Sequence, residues 1–371
     1  MNPVGVAACP PADFEDHAGL LISLTDLLIG APHTIVELVR GVIDRMPLVA
    51  IVDGEAERQQ AIVLLTDWGL PAHLIQFVAM PVSTWTRDFS PSFVRLTDGR
   101  IVLVDAQYTY PGRPNEDLVA TALAGHFGLP RYRAPIALDG GNLLSNGRGV
   151  CCISSATMEI NRVHGKHDYT PAEVARVMRD WYGFERTVML DPPIGYRTLH
   201  VDMFTAFVAP DVVIVAQCDP QTDPQSALIL DRNAARLAEV PAGREGRMHV
   251  HRIPMPPYDG KRCRTYTNVV FANGRLLVPH YSDVDPAVEQ RVMDVYADLL
   301  PDWELAQINC DEIICGGGAL RCATKHVPWL YDRFRQRAPR TWGAAAYAGN
   351  SAAGAMAAAG RTSLMSDLPM A

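Results

Sequence analysis

The feature that most constrains the fold is a unit of two short strands, a helix and a third strand, which the sequence contains four times. In each unit, the first two apolar runs are joined by a tight turn rich in turn-forming residues. Apolar residues at helical spacing then follow. The four turns are Asp98-Gly99, Asn146-Gly147, Pro210-Asp211 and Asn273-Gly274, and the helical stretches span 115–127, 171–182, 225–237 and 286–300.

A fifth unit is predicted from the two ends of the chain. Residues 317–324 supply one part of it, and the strands and helices before Ala79 supply the rest. A ring closed by its own termini explains why this unit is split, and the turns are spaced as in propeller-like repeats. The alternative is an ordinary mixed α/β domain whose hairpins merely look alike.

The composition predicts a globular protein. Hydrophobic residues make up 48% of the 371 residues and charged residues 20%, so a substantial core can form. The net charge of −8 argues against a general nucleic-acid binder and is compatible with attracting small cations. No apolar run is long enough to cross a bilayer, and no signal peptide is evident. We therefore expect a cytoplasmic location and neither nucleic-acid nor membrane partners.

No metal or cofactor is predicted. The chain has eight cysteines, which we expect to be reduced in a chain of this length without a signal peptide. No set of cysteines and histidines has the spacing of a zinc site, and the pair His249 and His251 lacks a third ligand. Residues 343–360 are mostly alanine and glycine, which predicts one domain over 1–342 and a mobile tail over 343–371.

The stretch from Cys315 to Pro328 contains a candidate nucleophile, Cys322. Three consecutive glycines at 316–318 allow the backbone to approach a neighbour or a ligand closely. A short strand that delivers the Cys322 thiol to a glycine-lined opening fits this order of residues. Its reactivity then depends on a base and a substrate-binding group supplied by other parts of the chain.

Three further polar stretches occur at the starts of hairpins, where a ring would turn side chains toward its axis. His200 and Asp202 are two residues apart, so in an extended chain they project to the same face. Each stretch also has an ordinary explanation on its own, namely a surface ion pair, a tight turn or a structural histidine. The three sets of candidate residues are Trp85, Arg87 and Asp88; Asp139, Gly141 and Asn142; and His200 and Asp202.

A thiol, an imidazole and two or three carboxylates together indicate a cationic electrophile as substrate. Cysteine proteases use a cysteine and a histidine but need no extra carboxylates at the reacting group. A guanidinium fits, because it is planar, presents five donors and binds carboxylates bidentately. Its central carbon is a poor electrophile, so it requires a strong nucleophile and accurate placement.

These four segments, in this order, resemble those of the agmatine deiminase and bacterial-type peptidylarginine deiminase family. The matching sequences are Trp-Thr-Arg-Asp, Asp-Gly-Gly-Asn, His-Val-Asp and Gly-Gly-Gly-Ala-Leu-Arg-Cys-Ala-Thr-Lys. The resemblance covers 14–328, and four ordered motifs are a specific signal. It implies the pentein fold, a five-bladed α/β-propeller with the site on its axis. It also implies hydrolysis of an arginine-like guanidinium to a ureido product and ammonia through a covalent thiouronium.

The resemblance further implies a role for each candidate residue. Cys322 would be the nucleophile and His200 the general acid and base, while Asp88 and Asp202 would grip the guanidinium nitrogens. No cofactor is implied. The residues expected to line the substrate site are Trp85, Arg87, Arg113, Asp139, Gly141, Asn142 and Arg321.

The sequence departs from the family pattern at several positions. Arg321 stands where the family commonly has histidine, and Lys325-His326 stands where agmatine-specific members commonly have Gln-Gln. The charge of Arg321 either favours the thiolate or repels a cationic substrate. In the loop 108–115, Arg113 is the one arginine left to hold a substrate carboxylate. Peptidyl-arginine, free arginine and agmatine therefore stay open as substrates. An amidinotransferase, a non-catalytic guanidine-binding protein and a homo-oligomer also stay open.

Overall fold

The computed structural model describes residues 5–110, 112–113, 115–242 and 246–330, which form a mixed α/β fold. The predicted tail over 343–371 lies outside the described residues. Within these ranges, no helix combines the length and the apolar character needed to cross a bilayer. All eight cysteines lie within these ranges and have free thiols.

Nineteen strands and nine α-helices occur in the described residues. The strands are β1 (Val6–Ala8), β2 (Gly19–Ser23), β3 (Leu48–Val52), β4 (Gln76–Ala79), β5 (Ser92–Leu96), β6 (Ile101–Gln107), β7 (Arg131–Ala137), β8 (Leu144–Ser145), β9 (Val150–Ser154), β10 (Arg186–Leu190), β11 (Thr205–Ala209), β12 (Val212–Gln217), β13 (Pro241–Ala242), β14 (Gly246–Arg247), β15 (His249–Pro254), β16 (Val270–Phe271), β17 (Arg275–His280), β18 (Glu304–Asn309) and β19 (Thr324–Val327). The helices are α1 (Leu27–Gly30), α2 (Pro32–Val42), α3 (Glu55–Asp67), α4 (Thr86–Phe89), α5 (Val119–Phe127), α6 (Thr157–Ile160), α7 (Pro171–Tyr182), α8 (Pro224–Ala238) and α9 (Pro286–Leu299).

Four sheets repeat one connectivity, which confirms the four predicted units. In each sheet an antiparallel hairpin is followed by a helix, and the chain returns as a strand parallel to the second hairpin strand. The helix makes this parallel return possible, because parallel neighbours need a long crossover connection. The four sets are β5-β6-β7 with β1 at its edge, β8-β9-β10, β11-β12-β15 and β16-β17-β18.

A further sheet joins the two ends of the described chain, as predicted for the split unit. In it, β19 pairs antiparallel with β2, and β2, β3 and β4 follow one another in parallel. The chain enters β19 two residues after Cys322, so this sheet fixes the nucleophile segment against the N-terminal strands.

Three of the returning helices begin with the same sequence signal. Thr170 caps α7 and forms a capping box with Glu173, while Asp223 caps α8 and Asp285 caps α9. A proline occupies the first helical position in each case, where its missing N–H has no helical partner to lose. These signals explain why the predicted starts of the three helices lie within one residue of those observed.

Buried apolar strands form the core on which the polar residues are mounted. Every residue of β2, β3 and β9 is buried. Leu320 and Ala323, on either side of the nucleophile, belong to the largest apolar cluster. The backbone around Cys322 is therefore anchored by packing as well as by hydrogen bonds.

Candidate active site

Polar side chains collect where the chain enters the first strand of successive sheets. Asp88 lies on α4 before β5, and Asp139 precedes a short 3-10 turn before β8. His200 precedes a similar turn before β11, with Asp202 within that turn. We call Cys322, His200, Asp88, Asp139 and Asp202 the thiol cluster. All five side chains are buried.

The Cys322 thiol is held by an asparagine. Its Sγ lies 3.2 Å from Asn268 Nδ2 and 3.9 Å from Asp202 Oδ2. The Cys322 backbone N–H donates to Asn268 Oδ1 at 3.1 Å, so the NH₂ end of the amide must face the sulfur. Cys322 lies in a turn closed by the Thr324 N–H to Arg321 carbonyl bond, and not inside the strand as predicted.

The pKa of the Cys322 thiol is raised well above its ordinary value. Burial is the main cause, and the carboxylates of Asp202 and Asp88 add to it. The hydrogen bond from Asn268 opposes this shift, because it favours the thiolate. In the absence of a bound cation the sulfur is therefore protonated at neutral pH.

His200 is placed between two carboxylates. Its Nε2 lies 3.3 Å from Asp139 Oδ2, and its Nδ1 lies 3.5 Å from Asp88 Oδ1. Asp139 is itself fixed by the N–H and the hydroxyl of Thr109, at 3.0 and 2.7 Å. Burial lowers the pKa of His200, but Asp88 and Asp139 outweigh it and raise the pKa to about 9. The ring is therefore an imidazolium at neutral pH and can give up a proton.

Asp88 is a carboxyl group that ionises with difficulty. Burial raises its pKa to about 7 despite the opposing charge of His200, and Asp139 and Asp202 add to the rise. The Gly141 N–H donates to its Oδ1 at 3.0 Å. A cation bound beside Asp88 would favour the ionised form.

One carboxylate oxygen of Asp202 accepts a hydrogen bond and the other does not. Its Oδ2 accepts from Arg321 Nη1 at 2.8 Å, whereas its buried Oδ1 has no hydrogen-bond partner among the described residues. An unsatisfied buried acceptor costs about 1–3 kcal/mol, so such atoms are rare unless they serve a ligand. Asp202 Oδ1 is suited to accept an N–H from a bound guanidinium.

Gly141 shows that these groups converge on one point. A Cβ atom at this position would lie 2.5 Å from Asp88 Oδ1, 2.7 Å from His200 Nδ1 and 3.3 Å from Asp202 Oδ2. No side chain fits there, so the glycine keeps the space between the three groups open.

The predicted glycine-lined approach to the sulfur is also found in the structure. A Cβ at Gly318 would lie 3.0 Å from Cys322 Sγ and 2.7 Å from the Trp85 ring, and Gly316 is similarly close to Trp85. Trp85 therefore packs directly on the glycine segment, next to the thiol.

Two residues expected at the substrate, Arg87 and Arg321, are bound elsewhere. Arg87 contacts Asp13, His326 and the Arg321 carbonyl at 3.2–3.4 Å. Arg321 donates to Asp13 Oδ2 at 2.6 Å, to Asp202, and to a backbone carbonyl. A buried guanidinium needs acceptors on all sides, and for both arginines groups of the protein already supply them, so their contact with substrate stays a prediction. Arg321 positions Asp202.

Asn142 and Arg113 also have protein partners. Asn142 donates to the Thr157 hydroxyl at 2.9 Å and accepts from the Ser154 N–H at 2.8 Å, so it braces the Gly141 turn. Arg113 lies 4.6 Å from the centre of the Tyr110 ring, and its Nη1 is 3.4 Å from Glu116 Oε1.

The sequence interpretation missed Asn268 and Asp13. Asn268 lies at the start of the fourth hairpin. Candidate residues in the first three hairpins were chosen because they lie at this same position. The same rule applied once more would have found it. Asp13 precedes β2 in a stretch of ordinary composition, and nothing in the sequence signals its two arginine partners.

A cavity of about 360 Å³, partly open to solvent, adjoins the thiol cluster. Five carboxyl groups line it: Asp88, Asp105, Glu116, Asp117 and Asp139. Glu116 Oε2 is buried without a hydrogen-bond partner in the described part of the chain. No group of three or more histidine, cysteine or acidic side chains in that part is arranged to hold a metal ion.

Similarity to known proteins extends over most of the chain. A family profile described as Porphyromonas-type peptidyl-arginine deiminase matches residues 11–328. A curated relative from Selenomonas ruminantium that carries an agmatine deiminase name is 26% identical over 361 residues, which cover 86% of this chain and 95% of the relative.

Two solved structures share the fold. Agmatine deiminase of Enterococcus faecalis has a TM-score of 0.73 at 19% identity, with 88% of this chain and 99% of that chain covered. A cysteine-to-serine variant of C. jejuni agmatine deiminase with substrate bound also has a TM-score of 0.73, at 17% identity, with 88% and 98% covered. At these identities the similarity concerns the fold alone.

Proposed function

Because the chain belongs to the Porphyromonas-type peptidyl-arginine deiminase family, we propose that it hydrolyses the guanidinium of an arginine-like compound to a ureido product and ammonia. One observation carries this proposal. Asp88, His200 and Asp202 surround the space beside Gly141, and Asp202 also contacts the Cys322 thiol. Carboxylates around a thiol suit a flat cation better than a neutral substrate.

The proposed binding step uses the two aspartates. Asp202 Oδ1 accepts one guanidinium N–H, which satisfies an otherwise unpartnered oxygen. Asp88 accepts from the other side of the cation and becomes ionised. The bound positive charge then offsets the carboxylates that hold the thiol pKa high, so Cys322 loses its proton more readily.

The proposed chemistry has two halves. In the first, the Cys322 thiolate attacks the guanidinium carbon, the C–S bond forms, and the imidazolium of His200 gives its proton to the departing ammonia. In the second, neutral His200 takes a proton from water, the resulting hydroxide attacks the thiouronium carbon, and the C–S bond breaks as the C=O bond forms. The remaining hydroxyl proton passes to the departing sulfur, which restores the Cys322 thiol beside the His200 imidazolium. The ureido product leaves, and Asp88 and Asp202 stabilise the positive charge of the guanidinium and of the thiouronium.

We also propose that the repeated sheets close into a five-bladed α/β-propeller within one domain over 1–342. The shared connectivity of the four internal units supports this closure, as does the sheet made from both chain ends. In such a ring, the segments that enter the first strands face a common axis, where the thiol cluster would lie.

A turnover assay tests the proposed function. The purified protein is incubated separately with agmatine, free arginine and a peptidyl-arginine, and the ammonia and the ureido product are quantified. A deiminase should form the two in equal amounts. An amidinotransferase would instead form a new guanidino compound from an added amine and release little ammonia. Guanidine binding without turnover, unaffected by alkylation of Cys322, would identify a non-catalytic binding protein.

The same assay settles the tail of the substrate. In the cavity beside Asp88, Asp105 and Asp117 are already paired with arginines, but the unpartnered Oε2 of Glu116 favours a cationic tail such as that of agmatine. Arg113 favours a carboxylate tail, but Glu116 already pairs with it. We therefore expect agmatine to be preferred over free arginine. In a Glu116→Gln variant, the ratio of kcat/KM for agmatine to that for free arginine should be smaller. A native protein that prefers free arginine over agmatine would contradict the expected cationic tail.

A further inference from the structure

A second cavity is lined by Arg321, which also donates a hydrogen bond to Asp202 of the thiol cluster. It has a volume of about 440 Å³, part of which is open to solvent. We call the polar residues that line it and their partner carboxylate the arginine cluster: Asp13, Arg87, Arg321, Lys325 and His326. Arg321, Lys325 and His326 are among the positions at which the sequence departs from the family pattern, and all three line this cavity.

The arginine cluster carries more positive than negative charge. Asp13 is its one carboxylate among the lining residues, and it contacts Arg87 at 3.3 Å and Arg321 at 2.6 Å. Its pKa is lowered well below its ordinary value, because these two guanidiniums outweigh the effect of burial. With one aspartate shared by two arginines, no carboxylate in this cavity is left for a third cation.

Lys325 is that third cation. Its side chain lines the cavity and is 9% exposed. It makes no hydrogen bond or ion pair with any described residue. A buried ammonium without a counter-ion is costly, and the usual remedies are a paired anion or loss of the proton.

The two histidines of the cavity do not supply the missing negative charge, and they add no positive charge. His326 Nε2 lies 2.8 Å from the Phe271 carbonyl, which can only accept, so Nε2 carries the proton and Nδ1 accepts from Arg87. His17 Nε2 donates in the same way to the Ala12 carbonyl at 3.1 Å. Burial lowers the pKa of both histidines, so both rings stay neutral.

We infer that this cavity binds a small monovalent anion, a halide or a short carboxylate, beside the Lys325 ammonium. Arg87 and Arg321 line the same cavity, so the anion completes the charge balance that Asp13 leaves unfinished. Because Arg321 also holds Asp202, the anion would sit next to the residue that connects both clusters. The inference does not depend on the proposed reaction, since binding is measured without turnover.

The protonation of Lys325 supports this assignment. Burial and the charges of Arg87 and Arg321 hold its pKa down to about 7, while Asp13 and Asp88 oppose them. The neutral His17 and His326 are the other titratable groups that face the cavity. An anion favours the protonated ammonium, so its affinity should fall by up to about tenfold per pH unit as pH rises above 7.

Bromide provides the direct test. Crystals of the full chain are soaked in sodium bromide, and anomalous scattering locates the ion. We expect a peak beside Lys325 in the native protein and none in Lys325→Gln, which removes the charge with little change of length. Absence of a peak in the native protein would overturn the inference. The measurement on the native protein needs no variant, so it still decides the question if the Lys325→Gln substitution impairs folding.

Solution binding provides the second test and separates the two kinds of anion. The melting temperature is measured in chloride, in acetate and in gluconate, a larger and strongly hydrated anion that serves as the reference, all at one ionic strength. Chloride or acetate should stabilise the native protein and Lys261→Gln, which alters an exposed lysine, but not Lys325→Gln. Equal stabilisation of all three proteins would mean a general salt effect and would refute the site. Anion binding without deiminase activity would refute the proposed function alone.

Discussion

The thiol cluster and the arginine cluster are joined by the hydrogen bond from Arg321 to Asp202, yet the environments of their aspartates are opposite. Asp13 in the arginine cluster accepts from two guanidiniums, and its pKa is held well below its ordinary value. Asp88 in the thiol cluster lacks such a partner, and burial raises its pKa to about 7. An aspartate therefore stabilises the fold in the arginine cluster, whereas in the thiol cluster its ionised form is destabilised by burial. A cost that the protein's own residues do not offset is a sign of a ligand site.

The largest effect that this contrast predicts is on the nucleophile. Replacing Cys322 by alanine should lower turnover by at least about 10⁴-fold, because the covalent step is removed. Guanidine binding, measured by calorimetry, should survive, because Asp88 and Asp202 remain. The matched control is Cys315→Ala, since Cys315 is exposed and lies in the same segment. More than one per cent of native turnover in the Cys322 variant would place the chemistry elsewhere.

Asp88→Asn should separate activity from stability. Loss of the carboxylate should lower kcat/KM by about 10³-fold, since the cation loses one of its two acidic partners. At pH 8 the same change should stabilise the fold by about 1–2 kcal/mol. The sign follows from the raised pKa of Asp88: stability is fully present below pH about 4 and is lost as pH rises through about 7. Urea unfolding at pH 5 and pH 8 measures the difference, and a less stable variant at pH 8 would refute it.

Asp13→Asn should have the opposite effect on stability. It removes the carboxylate shared by Arg87 and Arg321, and breaking a buried ion pair costs about 3–5 kcal/mol. Because the pKa of Asp13 is lowered, its contribution is present above pH about 4 and is lost as pH falls through the lower folded pKa. The unfolding midpoints of the variant and the native protein should therefore approach each other in acid. A constant difference from pH 8 to pH 3 would contradict this.

Asn268 offers a smaller and more specific effect. Its amide donates toward the sulfur and accepts from the Cys322 N–H, so Asn268→Ala should lower kcat by about 10–100-fold while changing KM little. Asn268→Asp keeps the acceptor but places negative charge against the thiolate, and should be worse than alanine. Titration of the thiolate absorbance near 240 nm gives the pKa of the Cys322 thiol in the native protein and in each Asn268 variant, and these values can then be ranked. An aspartate variant as active as the native protein would exclude this role.

The sequence was sufficient for the repeating units, because their signals are local. Thr170-Pro171, Asp223-Pro224 and Asp285-Pro286 each begin a helix, and tight turns such as Asn273-Gly274 mark the hairpins. The pairing of β19 with β2 was also predictable, since one unit lacked a strand at each end of the chain. Helix starts and turns depend on residues a few positions apart, so one sequence carries enough information to locate them.

The positions of charged side chains were less predictable. The entry to each hairpin pointed to Asp88, His200 and Asp202, which lie together around Gly141, but Arg87 contacts Asp13 and His326, although it is adjacent to Asp88 in the sequence. Which way each of two neighbouring side chains turns depends on partners that are far away in the chain, here Asp13 and His326. Such partners become visible only when the fold brings them together.

The smallest of the expected effects concerns pH. In the free protein at pH 7 both the thiol and His200 carry a proton, whereas the reacting state has one proton fewer. The value of kcat/KM should therefore rise about tenfold per pH unit between 7 and 9, and more steeply below 7, where Asp88 must also ionise. Asp139→Asn removes one of the carboxylates that keep His200 charged. The pH above which kcat/KM stops rising should therefore fall by about one pH unit. The test is kcat/KM for the preferred substrate from pH 6 to 9.5, and a flat profile in this range would show that neither Asp88 nor His200 changes its charge during catalysis.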